Sequence, residues 1–317
     1  MTAPQVSIVI VNFNYGEYLG AAIDSALAQG DIAETIVVDD GSTDGSRTLI
    51  ASYGERITPI LQKNTGACAA RNAGLAIARA PFVKFLDADD WLDLGSVARQ
   101  LAQATQIALT KVAVFGDAIW VAEDGTPLAD SYPIADGPKT FDLEDIVSGA
   151  PLTAAPMHLR EDVIAVGGFD PHVRRGQEHD FHVRLALSGV VFHYRPGLVY
   201  FYRQHSKAVR ISLSDGSAGA SVLDASRRHV AIAREAGLMT PGLTQAFAHR
   251  MWQQGRETLQ RGAPDIARAF FAEARALWPD QPVHGSRAYC SVNRLVGPIM
   301  AERISSVLDR LRVSLSN

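Results

Sequence analysis

Val6-Ser-Ile-Val-Ile-Val11, closed by Asn12-Phe-Asn-Tyr-Gly16, is the stretch from which the fold of this chain can be read. The run is apolar, rich in β-branched residues and much too short to span a bilayer, so it reads as a buried parallel strand. From Glu17 to Gln29 apolar residues recur at helical spacing, at Leu19, Ile23, Ala26 and Leu27. A second strand, Thr35-Ile-Val-Val-Asp39, ends in Asp39-Asp40-Gly41-Ser42-Thr43-Asp44, and a third candidate runs from Ile57 to Leu61. Asn64-Thr-Gly66 opens a helix reaching Ala78, and a fourth strand covers Pro81 to Leu86. Strand and helix alternate at the spacing of βαβ units. This predicts an α/β domain whose sheet is mostly parallel, with helices on both faces. Ligands of such sheets bind outside the carboxyl ends of the strands. Asn12, Phe13, Asp39, Asp40, Asp87, Asp89 and Asp90 all fall there.

The fourth strand leads into the densest acidic cluster, Phe82-Val-Lys-Phe-Leu-Asp-Ala-Asp-Asp-Trp91. Three carboxylates in four residues repel one another and resist burial. A Mg²⁺ or Mn²⁺ ion with phosphate oxygens in its remaining positions would remove that cost, since such ions take one or two protein carboxylates. Equally, Asp90 could cap a helix beginning near Trp91, its neighbours facing the helix dipole.

Taken together, Val6–Asn14, Ile36-Val-Val-Asp-Asp-Gly-Ser-Thr-Asp44, Asn64-Thr-Gly-Ala-Cys-Ala-Ala-Arg-Asn-Ala-Gly74, Phe85-Leu-Asp-Ala-Asp-Asp90, Gly167-Gly-Phe-Asp170 and Gln177-Glu-His-Asp180 resemble the inverting, nucleotide-sugar-dependent glycosyltransferases of family two. The segments occur in that family's order and spacing over roughly residues 5 to 206. The resemblance implies a GT-A fold and metal-dependent transfer of a sugar from a nucleotide-diphosphate donor, UDP favoured, in bacterial surface-glycan or polysaccharide synthesis. Two positions depart from the pattern: Val11, where many members have proline, and Gln177, where many have an acid. The alternatives are a nucleotide-sugar-binding protein that has lost catalysis, for which Gln177 speaks, and a nucleotidyltransferase. The second would want basic residues near the first strand, and Asn12 to Gly16 has none.

On the donor side the resemblance assigns Asp39 to the base, with Val11 and Phe13 lining it; both would equally serve as packing below a strand end. Asp40 could form an Asx-turn into the following segment. Gly66 at a helix entrance lets a ligand approach the backbone. Arg71 sits among small residues and would point at the nucleotide or pair with Asp39 or the Asp87 cluster. The resemblance gives Asp89 a direct contact to Mn²⁺ or Mg²⁺ and Asp87 a ribose or supporting role. Asp90 is left as a helix cap or a water-mediated ligand. His205, in Tyr202-Arg-Gln-His205, is a candidate further metal ligand, although a lone histidine after a strand is more often structural. On the acceptor side, Glu178 aligns with the family's general base, and Asp180 with a supporting acid or acceptor contact. Glu178–His182 and Asp180–Arg184 could also be plain i,i+4 helix pairs.

The 317 residues are 47% hydrophobic, enough for a large core and an appended unit. The net charge of −4 and the lack of a dense basic run argue against nucleic acid as the main partner. Cys68 and Cys290 are far apart, without metal-ligand spacing, as in a reducing compartment. The N-terminus has no basic leader and no apolar run approaches the ~18 residues of a membrane span, so a cytoplasmic protein is expected, with the inner face of the membrane as the alternative location. The expected organisation is a catalytic domain over residues 1–211, a linker in Ser212–Gly219 and a helical appendage over residues 220–317. The appendage reads as helices at Ser221–Ala236, Pro241–Arg261, Pro264–Leu277 and Ser291–Leu315, the middle pair tetratricopeptide-like. The last helix is amphipathic and arginine-bearing. It is expected to pack on the protein, with peripheral membrane contact as the alternative that suits a glycan acceptor carried on lipid.

Overall fold

Strand β1 (Val6–Asn12) is buried along its whole length because it has a parallel neighbour on each side. These are β2 (Ala33–Asp39) and β4 (Phe82–Asp87), and β2 in turn pairs in parallel with β3 (Thr58–Leu61). β3 lies at the sheet edge, which is why it tolerates Pro59 and exposes most of its side chains. The computed structural model describes residues 3–107, 110–128, 134–205, 216–279 and 286–315. In a first compact unit, residues 1–172 with 177–208, one nine-stranded sheet runs β3-β2-β1-β4-β8-β6-β9-β5, with β7 added on β9. The remaining strands are β5 (Trp91–Leu92), β6 (Val112–Val121), β7 (Lys139–Phe141), β8 (Met157–Leu159) and β9 (Val191–Arg203). The four strands read from the N-terminal pattern form the parallel half. Beyond β4 the sheet is mixed: β8 runs antiparallel to β4 and β6, and β9 runs parallel to β6 but antiparallel to β5 and β7.

Helices α1 (Gly16–Leu27), α2 (Ser46–Ser52), α3 (Ala67–Ile77), α4 (Ser96–Ile107), α5 (Leu143–Ser148), α6 (Arg160–Ala165) and α7 (Gln177–Leu187) belong to this unit. α1 buries Leu19, Ala22, Ile23 and Ala26, the face its spacing predicts. Side chains of β4 alternate: Phe85 packs against Phe169 (5.0 Å) and Phe181 (6.1 Å), while Lys84 reaches Gln100 of α4. Lys84 is fully buried, which pushes its ammonium down to about 7, and its three donors meet Gln100 Oε1 and the carbonyls of Ala154 and Ala155. α3 sits so close to the sheet that a Cβ on Gly74 would lie 2.3 Å from Val9 Cγ1. Gly74→Ala should therefore lower stability by about 1–3 kcal/mol despite alanine's better helix propensity. A melting temperature at or above wild type would show that the helix can move out.

The expectation of a helix beginning near Trp91 is not met. Trp91 and Leu92 form β5, held by Phe201 and Tyr200 of β9, and the next helix starts at Ser96. Pairing with a strand over a hundred positions away overrides the local signal.

The second unit, residues 173–176 with 209–317, contains α8 (Gly219–Glu235), α9 (Pro241–Gln260), α10 (Pro264–Leu277) and α11 (Arg287–Leu315). The first four residues of the expected linker lie outside the described residues, and Gly216–Ala218 form a 3₁₀ turn. Trp252, Phe270 and Phe271 are buried where α9 and α10 meet, at a point where Gly255 allows close approach. α11 is broken at Gly297 (φ 76°), just before Pro298, rather than continuous. Glu302 of this helix is buried and ion-paired with Arg256. Asp309, Arg310 and Arg312 lie where side chains are not described. No helix among the described residues is long and apolar enough to cross a membrane.

Candidate active site

The carboxyl ends of β1, β2 and β4 carry the acidic residues side by side, because the three strands run parallel in register, with Asn12 opposite Asp39 and Val11 opposite Asp87. Asp39 is fully buried. Its Oδ2 accepts from Asn12 Nδ2 at 2.9 Å, and its Oδ1 accepts from the Ser42 amide at 3.0 Å and Arg47 Nε at 2.8 Å. Burial alone would raise this carboxyl, but the hydrogen bonds from Ser42, Arg47 and Asn12 outweigh it and hold it below the ordinary range. It is an ionised acceptor at the strand end. Val11 lies buried beneath it and Phe13 half-buried beside it.

Asp40 makes no Asx-turn of the kind its sequence suggested. It reaches across to the loop before α3, accepting from the amides of Thr65 (2.9 Å) and Gly66 (2.8 Å) and from Gln62 Nε2 (2.7 Å). That fixes Gly66 at φ 92°, a conformation suited to glycine, and nothing lies within 4 Å of where its Cβ would be. The backbone here is open to a ligand.

Arg71, buried on α3, couples to Asp87 and not to Asp39. Its Nη2 donates to Asp87 Oδ1 at 2.6 Å and its Nη1 to Gln177 Oε1 at 3.2 Å, with the guanidinium 5.1 Å from the Phe169 ring. Next to it, Asn72 grips the backbone of Phe169 from both sides, Nδ2 donating to the carbonyl (2.8 Å) and Oδ1 accepting from the amide (2.9 Å). The Arg71-Asn72 pair thus joins three sequence motifs: the Asp87 turn, the Gly167–Asp170 turn and the start of α7. Gln177, the departure from the family pattern, serves as a neutral acceptor for Arg71. Arg71 Nε has no partner among the described residues.

Asp89 Oδ2 lies 2.9 Å from His205 Nε2. Burial raises the Asp89 carboxyl above its ordinary value and the Asp87 charge adds to this, while the hydrogen bond to His205 opposes it. The His205 ring is enclosed by Tyr18, stacked at 5.4 Å, and Tyr15, edge-on at 5.3 Å. Among the described residues no three His, Cys, Asp or Glu side chains gather as a metal-binding group. The sparse Asp89–His205 set, a half-buried carboxylate beside one imidazole, would suit a cation that completes its shell with phosphate oxygens and water. It does not suit a structural Zn²⁺.

Asp90 is not a helix cap, since Trp91 and Leu92 after it form β5. Its buried carboxylate accepts from the Arg203 amide at 2.9 Å and fastens the end of β9 to the acidic turn. Arg203 itself donates from Nε to the Asp89 carbonyl at 3.0 Å and from Nη1 to the Glu123 carbonyl. Its guanidinium lies between the rings of Tyr18 (4.8 Å) and Trp91 (4.7 Å). Tyr18 and Glu123 went unnoticed in the sequence: they sit 105 positions apart, joined by a 2.8 Å hydrogen bond. Arg203, by contrast, lies in the Tyr202–His205 segment already singled out there.

On α7 the two candidate acids differ in kind. Asp180 is buried and ion-paired with Arg184, whose Nε donates at 2.9 Å, the i,i+4 pair the sequence allowed. Glu178 is half-buried, and its carboxylate has no hydrogen bond or ion pair among the described residues. The alternative pairing with His182 does not form, since His182 is buried against His158 (5.3 Å).

Residues 7–132 match the family model described as Glycosyl transferase family 2. This segment of the chain belongs to glycosyltransferase family 2. Over 199 residues the chain is 32% identical to the succinoglycan biosynthesis protein ExoU of Rhizobium meliloti, covering 58% of this chain and 57% of that protein. It is 34% identical over 146 residues to TuaG of Bacillus subtilis, named as a teichuronic acid biosynthesis glycosyltransferase, covering 44% and 56%. The chain thus spans just over half the length of these two relatives. The crystal structure of S. aureus TarS residues 1–349 superposes with a TM-score of 0.61 at 16% identity, covering 93% of this chain and 92% of that one. The same TarS fragment in complex with UDP-GlcNAc matches with a TM-score of 0.55 at 15% identity, over 86% and 90%. The family 2 domain therefore has the GT-A fold, an α/β sheet flanked by helices, followed by C-terminal helices.

Proposed function

We propose that the chain is an inverting glycosyltransferase that moves a sugar from a nucleotide-diphosphate donor, UDP first, to an acceptor hydroxyl in bacterial surface-glycan synthesis. The observation that carries this is the presence, in one compact unit, of an acidic cluster at the strand ends of the family 2 segment and of a carboxylate on α7, Glu178, that has no hydrogen bond or ion pair among the described residues. TarS, of the same fold, is known with UDP and UDP-GlcNAc bound, which supports UDP as the first donor to try. Asp39 would accept from the uracil N–H, with Val11 and Phe13 lining the base. The open backbone at Gly66 and the guanidinium of Arg71 would approach the rest of the nucleotide, and Asp87, held by Arg71, the ribose.

Asp89, with His205, would hold Mn²⁺ or Mg²⁺ against the donor's phosphates. Bound there, the ion supplies Lewis-acid stabilisation of the charge gathering on the departing diphosphate. Glu178 would take the acceptor's proton as attack proceeds on an oxocarbenium-like centre. One displacement from the side opposite the leaving group inverts the anomeric carbon and needs no enzyme nucleophile. Asp180 would hold the first turn of α7 through Arg184 and so place Glu178. The acceptor would be a glycan, free or lipid-linked. The exposed Leu295, Val296, Met300 and Ile304 of α11 offer an apolar strip for peripheral membrane contact.

A panel of UDP-, GDP- and dTDP-sugars, assayed for slow hydrolysis with Mn²⁺ and no acceptor, tests the reading. Nucleoside diphosphate release from one of them is expected; pyrophosphate release from a triphosphate substrate would replace the transferase by a nucleotidyltransferase. Calorimetric titration of UDP with and without Mn²⁺ tests the metal pair. Mn²⁺ should tighten UDP binding to the wild type and leave Asp89→Ala unaffected. A metal effect of equal size in the variant would remove Asp89 from that role.

A further inference from the structure

His205 stands just beyond β9, where sheet pairing no longer holds the chain. The strand ends at Arg203, and the amide of Gln204 donates to the Val121 carbonyl at 2.7 Å. Placing the imidazole at Asp89 therefore falls to the side chains packed on it. The His205 side chain is wholly enclosed, and two of the rings against it come from the start of α1. Tyr18 stacks on it at 5.4 Å with the planes 27° apart, and Tyr15 meets it edge-on at 5.3 Å.

Tyr18 is itself fixed from another direction. It is buried, its hydroxyl donates to Glu123 Oε1 at 2.8 Å, and the Glu123 carbonyl accepts from Arg203 Nη1. Arg203 donates from Nε to the Asp89 carbonyl at 3.0 Å and lays its guanidinium 4.8 Å from the centre of the Tyr18 ring. These contacts close a circuit that runs from Asp89 through His205, Tyr18, Glu123 and Arg203 back to Asp89. Any large apolar side chain at position 18 would serve packing alone. A hydroxyl held by a carboxylate and a flat face set against an imidazole fix a plane as well as a volume. The 2.9 Å between Asp89 Oδ2 and His205 Nε2 is also close to the spacing of adjacent ligands on an octahedral ion, about 3 Å for bonds of about 2.1 Å. A tilted imidazole would lose that spacing.

We propose that Tyr18 is a positioning residue for the metal pair, its ring, anchored at the hydroxyl by Glu123, holding the His205 imidazole at Asp89 so that both face one cation. This rests on the reading of Asp89 and His205 as that pair.

Electron paramagnetic resonance of free Mn²⁺ tests it directly, in the full chain saturated with UDP. Tyr18→Leu should weaken Mn²⁺ binding by roughly 10-fold, the low end of the loss typical of residues that orient a metal ligand. UDP affinity without metal, measured by calorimetry, should stay at the wild-type value. Tyr18→Phe keeps the flat ring and loses only the hydroxyl, so it should recover most of the loss. If Tyr18→Leu does not fold, Tyr18→Met, whose flexible side chain fills the same space, is measured in its place with the same expectations. Wild-type Mn²⁺ affinity in the leucine or methionine variant, beside a weakened His205→Ala, overturns the proposal and leaves the metal pair standing. A Tyr18→Phe as weak as that variant overturns the stacked ring as the agent. An equal loss of UDP affinity with and without Mn²⁺ makes Tyr18 structural and also overturns it. If His205→Ala binds Mn²⁺ as the wild type does, the metal pair itself fails and this proposal with it.

Discussion

Replacing Glu178 by glutamine is expected to cut sugar transfer by about 10²- to 10⁴-fold, the usual contribution of a positioned general base. Folding and nucleotide binding should survive, because the side chain forms no bond among the described residues whose loss would matter to stability. Asp180→Asn should behave in the opposite way. Its carboxylate is buried and paired with Arg184, so the substitution leaves a largely enclosed guanidinium short of its counter-charge. Breaking such a pair typically costs about 3–5 kcal/mol. A sharply lower melting temperature is the expected result, with turnover in the folded fraction reduced by less than in Glu178→Gln, since the base itself is still present. Melting curves and transfer rates on both variants decide the matter. A near-wild-type Glu178→Gln beside a folded but inactive Asp180→Asn would move the base two residues along α7.

Acidification should unfold the first unit well above the pH at which carboxylates usually fail. His158 and His182 are both fully buried and stacked on one another, and neither His158 ring nitrogen has a partner among the described residues. Burial, with the Lys84 charge adding, pushes His158 down to about 3. Burial, with His158 adding, holds His182 well below its ordinary value. Both folded-state values are depressed, so below the ordinary histidine range near 6.5 the unfolded chain takes up protons that the folded chain refuses. Each histidine then removes about 1.4 kcal/mol of stability per pH unit. His158 alone removes about 2 kcal/mol between pH 6.5 and 4.5, and His182 acts in the same sense, a sizeable share of the stability of many domains. Lys84 acts in the same sense at higher pH, its share being lost as pH falls from the ordinary lysine range to about 7. Thermal melts followed by circular dichroism from pH 8 to 4.5 should show a steep fall beginning near pH 6.5. A melting temperature flat down to pH 5 would mean that these rings are hydrated or protonated in the folded protein.

The N-terminal half of the sheet and the residues at its strand ends were legible in the sequence because their signals are local. A β-branched run ending in Asn12, Asp39 or Asp87 announces both a buried parallel strand and the polar group at its mouth. What was not legible depends on distant partners. Asp90 reads as a helix cap until Arg203, 113 positions away, is seen to donate to it. Trp91 reads as a helix start until β9 arrives beside it. Asp40 reads as a turn-former until the loop before α3 is found hydrogen-bonded to it. Lys84 gave a signal that was passed over: a lysine inside the strand Phe82–Asp87, covered on both faces, has to find acceptors indoors. Gly297-Pro298 was likewise readable as a helix break, since glycine before proline is strong punctuation. The Arg71–Gln177 contact shows what an amide does at this position. Arg71 already has a carboxylate in Asp87, and Gln177 needs only to accept.

The most direct measurement is NMR observation of the full chain incubated with Mn²⁺ and the UDP-sugar series, following the anomeric proton of the product. The account predicts UDP appearing together with a sugar product of anomeric configuration opposite to that in the donor, and no such release from Glu178→Gln. A product retaining the donor configuration, or no nucleoside diphosphate release from any member of the series, would contradict it.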